Sequence, residues 1–376
     1  MYMQLVPKRL ALGFVLIVLA STVLLLSDLQ RRTPTARTMP RIGLLQHAST
    51  LLLDDGARGA IDALAENGFV EGQSVVIDKF NAHGDISVGN SIAKQMVNAR
   101  YDLLLTMSTL SLQAVANANR GSRTVQVFGL VADPVVAGVG VSRADPLDHP
   151  HNLVGIGSFL PVQDAFLVAK QMFPRLKKVG VAWNPAEANS RAFVDKARET
   201  CKQWGIELLE ANVENSNAVL EAEDSLVSRG AEVLWIGGDV TVSVAAEAVI
   251  AVGRRAHIPV FSITPGKPDR GTLFDYGADF YQIGKQTGDL VARILRGADP
   301  KQIPIINQVP INFVVNTTVT KGLKQPWTVP DDVLRRATVV VDDSGVHRRS
   351  PAKPQTASAN KRYGDHETTS RRDART

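Results

Sequence analysis

From Arg41 onward, short unbroken apolar runs alternate with stretches whose apolar residues recur every three to four positions. RIGLLQ (41–46), SVVIDKF (74–80), YDLLLTM (101–107) and TVQVFGLV (124–131) predict strands buried on both faces; residues 51–66, 86–99 and 110–119 between them predict amphipathic helices. After Gly157 the same alternation starts again. KKVGVAW (177–183), IELLEANV (206–213), AEVLWIG (231–237) and IPVFSIT (258–264) predict strands, with helices over 188–204, 217–228 and 242–256. Two halves of similar strand–helix spacing predict an α/β protein with two Rossmann-like lobes, each built on a parallel sheet with right-handed crossovers.

The end of the pattern does not fit a simple tandem. A stretch rich in Gly, Pro and Asp (266–279) leads into a helix over 280–296, with Ile283, Thr287, Leu290, Val291 and Ile294 at helical spacing and Gly297 closing it. A strand, VPINFVVNT (309–317), follows. These elements are too few for a third lobe and must complete the first two, so the chain crosses between lobes more than once. Expected crossings are Gly155–Phe159, Thr264–Lys267 and Ile306–Pro310, which together make a multi-strand hinge. The expected division is 41–156 plus about 265–306 in one lobe and 157–264 plus about 307–341 in the other.

The chain of 376 residues is long enough for two cored lobes. Its ends differ from its body. Lys8 and Arg9 precede an apolar run, Leu10 to Leu26, that reads as an export signal over 1–29: either a cleaved signal peptide or, since the run extended to Leu29 approaches the ~20 residues of a bilayer span, an N-terminal membrane anchor. Residues 30–40 read as a tether and 342–376, almost without large apolar residues, as a disordered polar tail. Much of the formal charge of +5 lies in that tail, which leaves the body near neutral and argues against nucleic acid as a partner. Cys201 is the only cysteine and falls in a helical apolar stripe with Phe193, Ala197 and Trp204, so intrachain disulfides and cysteine-rich metal clusters are excluded.

At the ends of the predicted strands the apolar runs give way to hydrogen-bonding residues. The sharpest case is VGVAWNPAEANS (179–190), where Pro185 breaks a strand and Asn189 or Ser190 can cap the next helix. Ser108, Thr109 and Asp133 come from the first half, Asn184, Glu187, Asn189, Asp239 and Thr241 from the second, and Asp275 and Tyr276 precede the late helix. Gathered at the carboxyl edges of two sheets, such groups suit a small polar ligand; a carboxylate can meet an ammonium while hydroxyls and helix-start amides meet a carboxylate. Each residue alone is equally explained as a cap or turn former. No nucleophile elbow, phosphate loop or zinc-binding helix is present in the sequence, and no cofactor, metal or enzymatic activity is expected.

The run DYGADFYQIGKQTGDLVARILRGADPKQIPI (275–305), together with Asp133-Pro134-Val135, Asn152-Leu153-Val154-Gly155, VAWNPAEANS and Gly238-Asp239-Val240-Thr241 in that order, resembles bacterial ABC-transporter substrate-binding proteins of the tryptophan/tyrosine type over about 41–341. That resemblance implies the type I periplasmic-binding fold and an extracytoplasmic receptor that captures a small solute, such as an amino acid, by lobe closure and hands it to a membrane permease. It places the receptor in the periplasm or on the outer face of the cytoplasmic membrane, and implies the ten residues above as ligand-facing. Two departures stand out: Met107-Ser108-Thr109 where relatives commonly have Gly-Thr-Pro, and Val240 in place of a common Asn. The competing expectation is a membrane-tethered sensory module of the same fold.

Overall fold

The computed structural model describes residues 18–22 and 39–349. Residues 18–22 are helical; the rest of the expected export segment, the tether up to Thr38 and the tail from Ser350 lie outside the described residues. No helix among the described residues is long and apolar enough to cross a membrane. Among the described residues, 40–349 form one compact unit.

Its first half runs β1 (Arg41–Gln46), α1 (Leu51–Glu66), β2 (Val76–Asn81), α2 (Ile86–Asn98), β3 (Leu103–Met107), α3 (Thr109–Ala118), β4 (Val125–Val131) and β5 (Leu153–Gly157). The second half runs α4 (Val162–Met172), β6 (Lys178–Trp183), α5 (Ala188–Trp204), β7 (Glu207–Asn212), α6 (Val219–Ser228), β8 (Val233–Ile236), α7 (Val240–Val244), α8 (Ala246–Ala256), β9 (Val260–Ser262), β10 (Phe274–Ala278), α9 (Phe280–Leu295), β11 (Ile306–Asn307), β12 (Ile311–Asn316), α10 (Asp331–Arg336), β13 (Val339–Asp342) and β14 (Gly345–Arg348). The first sheet has the order β11-β5-β4-β3-β1-β2 and is wholly parallel. The second, β14-β13-β12-β10-β9-β8-β6-β7, is parallel from β7 to β10 and mixed beyond. This is the expected α/β architecture. Strands such as β3, buried along its whole length, are almost wholly apolar because helices cover both faces, Thr106 being the exception.

Three expectations need correction. The segment after Thr264 does not cross to the first sheet. Arg270 donates to the Thr264 carbonyl (2.9 Å) and to Asp275 (2.8 Å), folding the loop back so that Phe274–Ala278 joins the second sheet as β10. The chain leaves that sheet at Asp279 instead; α9 returns to the first half, where it packs on α1, and β11 then joins the first sheet beside β5. Second, the tail does not begin at Asp342: Asp342–Arg348 completes a hairpin, with Asp342 paired to Gly345 and Val339 to Arg348. Alternating polar residues carry an edge strand that composition alone reads as disordered. Third, Glu187 occupies the N-cap position of α5, so Asn189 and Ser190 lie inside its first turn and turn their side chains elsewhere.

The crossings are tied to one another. Gln308 donates its amide to the Gly157 carbonyl (2.9 Å), Phe159 to Asn307 Oδ1 (2.6 Å), and Asp279 to the Pro310 carbonyl (2.8 Å). A chain that passes three times between the sheets thus does so as one hydrogen-bonded strap.

The α1–α9 contact is unusually close. A Cβ on Gly284 would lie 2.0 Å from the Gly56 carbonyl oxygen, and one on Gly288 2.3 Å from that of Ala60. Glycine four residues apart on α9, facing Gly56, Gly59 and Ala60 on α1, lets backbones touch where side chains would hold them apart.

Candidate functional site

The carboxyl ends of β1, β3 and β4 face those of β6 and β8 across a narrow cleft, closed at the back by the strap. A cavity of about 50 Å³ remains there, lined by Thr50, Ser108, Thr109, Leu130, Asn189 and Asp239, among others. That is room for water and not for an amino acid.

The second-sheet side is a rigid polar floor. Asp239 caps α7, its Oδ1 accepting from the Val242 amide (2.6 Å), while Oδ2 accepts from Ser190 Oγ (2.8 Å) and the Asn184 amide (3.3 Å). Glu187 reaches over the same helix start: Oε2 accepts from the Val240 amide (2.8 Å), and Oε1 from the Thr241 amide (3.0 Å) and hydroxyl (2.7 Å). Asn184 donates to that hydroxyl at 2.9 Å. Burial pushes the Asp239 carboxyl well above the ordinary carboxylate range, and the neighbouring Glu187 charge pushes it further. Asn189 donates to the Gly238 carbonyl (3.4 Å), but its Oδ1 is buried with no hydrogen-bond partner. An acceptor without a donor at a cavity wall is an incomplete site. Gly238, at φ +91°, keeps the wall thin: a Cβ there would meet Leu160, Phe193 and Thr264 at 3.3 Å.

The first-sheet side is held under strain. Ser108, the N-cap of α3, has φ 151° and ψ 164°, a region that only glycine visits readily, and its Oγ accepts from the Ser111 amide (3.1 Å). The first amides of α3, from Thr109 and Leu110, point from this cap toward the cleft end of the helix, where no preceding carbonyl can satisfy them. Leu130 has φ 57°, at an irregularity where the β4–β5 register shifts between Phe128 and Val131. The bulge turns a residue of an apolar strand into the cavity wall. Two of the non-glycine residues with positive φ therefore line this one cleft. His47, from the same side, has its pKa lowered by burial, with Glu187 opposing that from the other side.

Of the ten candidates, Ser108, Thr109, Asn189 and Asp239 line the cavity, and Asn184, Glu187 and Thr241 form the layer behind it. The remaining three lie elsewhere. Asp133 holds the following turn through the Val135 and Val136 amides and pairs with Arg143 (3.1 Å). Asp275, fully buried on β10, is ion-paired to Arg270, and Tyr276 packs edge-on against Phe313. Leu53, Leu110, Leu130, Leu160, Phe193 and Phe280 supply an apolar wall that sequence reasoning missed. Phe193 reads as a core residue from its helical stripe; Phe280 carries a usable signal, as the first helical residue after a crossing.

A family model for ABC transporter substrate binding proteins matches residues 41–341. The tyrosine-binding protein of Clostridioides difficile (strain R20291) is 28% identical over 304 residues, 81% of this chain and 86% of that protein. Among solved structures, a conserved domain protein from Vibrio cholerae O1 biovar El Tor strain N16961 has a TM-score of 0.75 at 30% identity, covering 81% of this chain and all of the other. An ABC domain from Streptococcus pneumonia, solved in complex with L-Trp, shares the fold with a TM-score of 0.75 at 24% identity and the same coverage.

Proposed function

Because the chain belongs to the family of ABC transporter substrate-binding proteins, we propose that its cleft captures an amino acid or a closely related solute outside the cytoplasm and that the two sides close over it. The carrying observation is the unpartnered Asn189 Oδ1, set beside the Asp239 carboxyl and across from the start of α3. An α-ammonium gives Asn189 its donor and Asp239 a counter-charge, while an α-carboxylate accepts from the Thr109 and Leu110 amides. The apolar wall from Leu53 to Phe280 receives the side chain. A ligand held this way contacts both sides, and its differential affinity for the closed form drives closure. Delivery to a membrane permease follows from the family's role in import, as does binding without turnover.

The test is a thermal-shift and calorimetric screen of residues 41–349 against the common amino acids and purine and sugar controls. An amino acid should raise the melting temperature, and Asn189→Leu should weaken its binding at least 10-fold while leaving the unliganded melting temperature within a few degrees. A panel without a shift, or a ligand that binds Asn189→Leu as well as the parent, refutes the reading.

A further inference from the structure

We propose that a hollow on the outer flank of α3, which adjoins the cleft through Leu110 and His47, is a second ligand site that takes a hydroxylated organic anion such as a sugar acid or sugar phosphate. The hollow exists because the β4–β5 crossover, residues 132–152, carries turns and no helix, whereas α1, α2 and α3 fill the other crossovers between strands β1 to β4. One flank of α3 is left uncovered, and about 750 Å³ remains beside it, within the range of small-molecule pockets.

The far wall is fixed in place. Asp133 holds the Val135 and Val136 amides, Ser142 donates to the Asp148 carbonyl (2.9 Å), His149 Nε2 lies 3.1 Å from the Ile303 carbonyl, and Ile305 donates to the Pro146 carbonyl (2.9 Å). A hollow with such a wall is preformed.

Its chemistry is one-sided. None of its lining residues is acidic. Gln113 and Asn117 lie four residues apart on the flank of α3 that faces the hollow, and Arg120 follows just past the helix's C-cap, Asn119. Among the described residues the Asn117 and Arg120 side chains have no hydrogen-bond or ion-pair partner, and both are exposed. Asn119, also in the lining and only 3% exposed, donates Nδ2 to the Thr124 carbonyl (2.9 Å), yet its Oδ1 is buried without a partner. A ligand that fits therefore brings a hydroxyl to give a hydrogen bond to Asn119, a further hydroxyl for the amide of Asn117, and an anionic group for Arg120, while the Gln113 amide is already tied to the Ala137 carbonyl (3.0 Å). The cleft has the opposite character, with two carboxyls in its floor, so the two sites sort ligands by charge.

The site is tested by calorimetric titration of residues 41–349 at pH 7 with gluconate, glucose 6-phosphate and glucose. At least one of the anions should bind, and glucose should bind at least 10-fold more weakly; the anion that binds identifies the source as carboxylate or phosphate. Arg120→Ala should reduce anion binding to the glucose level, and Asn117→Phe, an exposed substitution that fills the hollow, should abolish it. Asn189→Leu in the cleft should leave it unchanged. Failure of both anions to bind at millimolar concentration, equal binding of glucose, indifference to both the Asn117 and the Arg120 substitution, or loss on Asn189→Leu overturns the proposal.

Discussion

Glu223, on α6, is fully buried, and neither of its carboxyl oxygens has a hydrogen-bond partner. Burial pushes its pKa from 4.5 to about 8; the Ala182 amide nearby opposes the shift without completing a bond. The folded protein therefore holds a proton that the unfolded chain releases above pH 4.5, and between 4.5 and about 8 stability falls as pH rises, at about 1.4 kcal/mol per unit. From pH 4.5 to 7 the loss is about 3 kcal/mol, and to pH 8 about 4 kcal/mol. Glu223→Met keeps the volume and removes the titrating group, so its advantage over the parent should be least at pH 4.5 and grow by about 3 kcal/mol by pH 7. Urea unfolding of both proteins at pH 4.5, 7 and 8.5 measures that difference directly, and pH effects from other groups cancel in the comparison. A variant less stable than the parent at pH 8.5, or one whose advantage is the same at every pH, refutes the argument that Glu223 is buried at a cost.

Gly284→Ala should lower the melting temperature despite the ~1 kcal/mol gain in helix propensity, because its Cβ would stand 2.0 Å from the Gly56 carbonyl oxygen and overpacking costs about 1–3 kcal/mol or more; an unchanged melting temperature overturns the close-contact reading of α1 and α9. At Ser108, glycine relieves the strained φ and loses only the cap, whereas alanine keeps the strain and loses the cap, so Ser108→Gly should exceed Ser108→Ala in unfolding free energy by about 1–3 kcal/mol. The reverse order in denaturant unfolding would show that the backbone there is not strained. Arg270→Met should cost about 3–5 kcal/mol by leaving Asp275 buried and unpaired, and adding Asp275→Asn should recover a large part of it; a double variant no better than the single one refutes the pairing as the cause.

Most of the fold is legible in the sequence because burial on both faces writes itself as unbroken apolar runs. β1 and α1 have the bounds that their patterns predict, and β6 begins within one residue of its run. What the pattern hides is where a segment belongs when its contacts are remote. Phe274–Ala278 reads as the end of a loop because Asp275 interrupts it; only the Arg270 partner, five residues upstream and folded back on it, makes that carboxylate tolerable inside a sheet. The same holds for the site. Asn184, Glu187, Asn189 and Asp239 are legible because polar residues after an apolar strand have few other reasons to be there, but chain order does not separate the layer that meets the cavity from the layer that braces it. Leu130 is illegible in principle: a leucine in VQVFGLV looks like every other core residue, and only its φ of 57° directs it to the cleft.

The late helix α9 explains why these errors fall where they do. A chain that finished its second sheet at β10 and stopped would leave α1 with an uncovered flank of Gly56, Gly59 and Ala60, which no side chain could fill at that depth. Only a helix with glycine four residues apart can come close enough, and α9 supplies Gly284 and Gly288. The first sheet is thus completed by a segment that the chain reaches only after building most of the second, and the strap of three bonded crossings is the geometric consequence. Phe280, the first residue of that helix, stands where the strap meets the cleft, so the element that completes the first sheet also lines the cavity. Under the proposed closure, opening the cleft would bend the strap while α1 and α9 stay locked, which would put the hinge motion at residues 157–161, 278–280 and 307–311 and not at the helix contact.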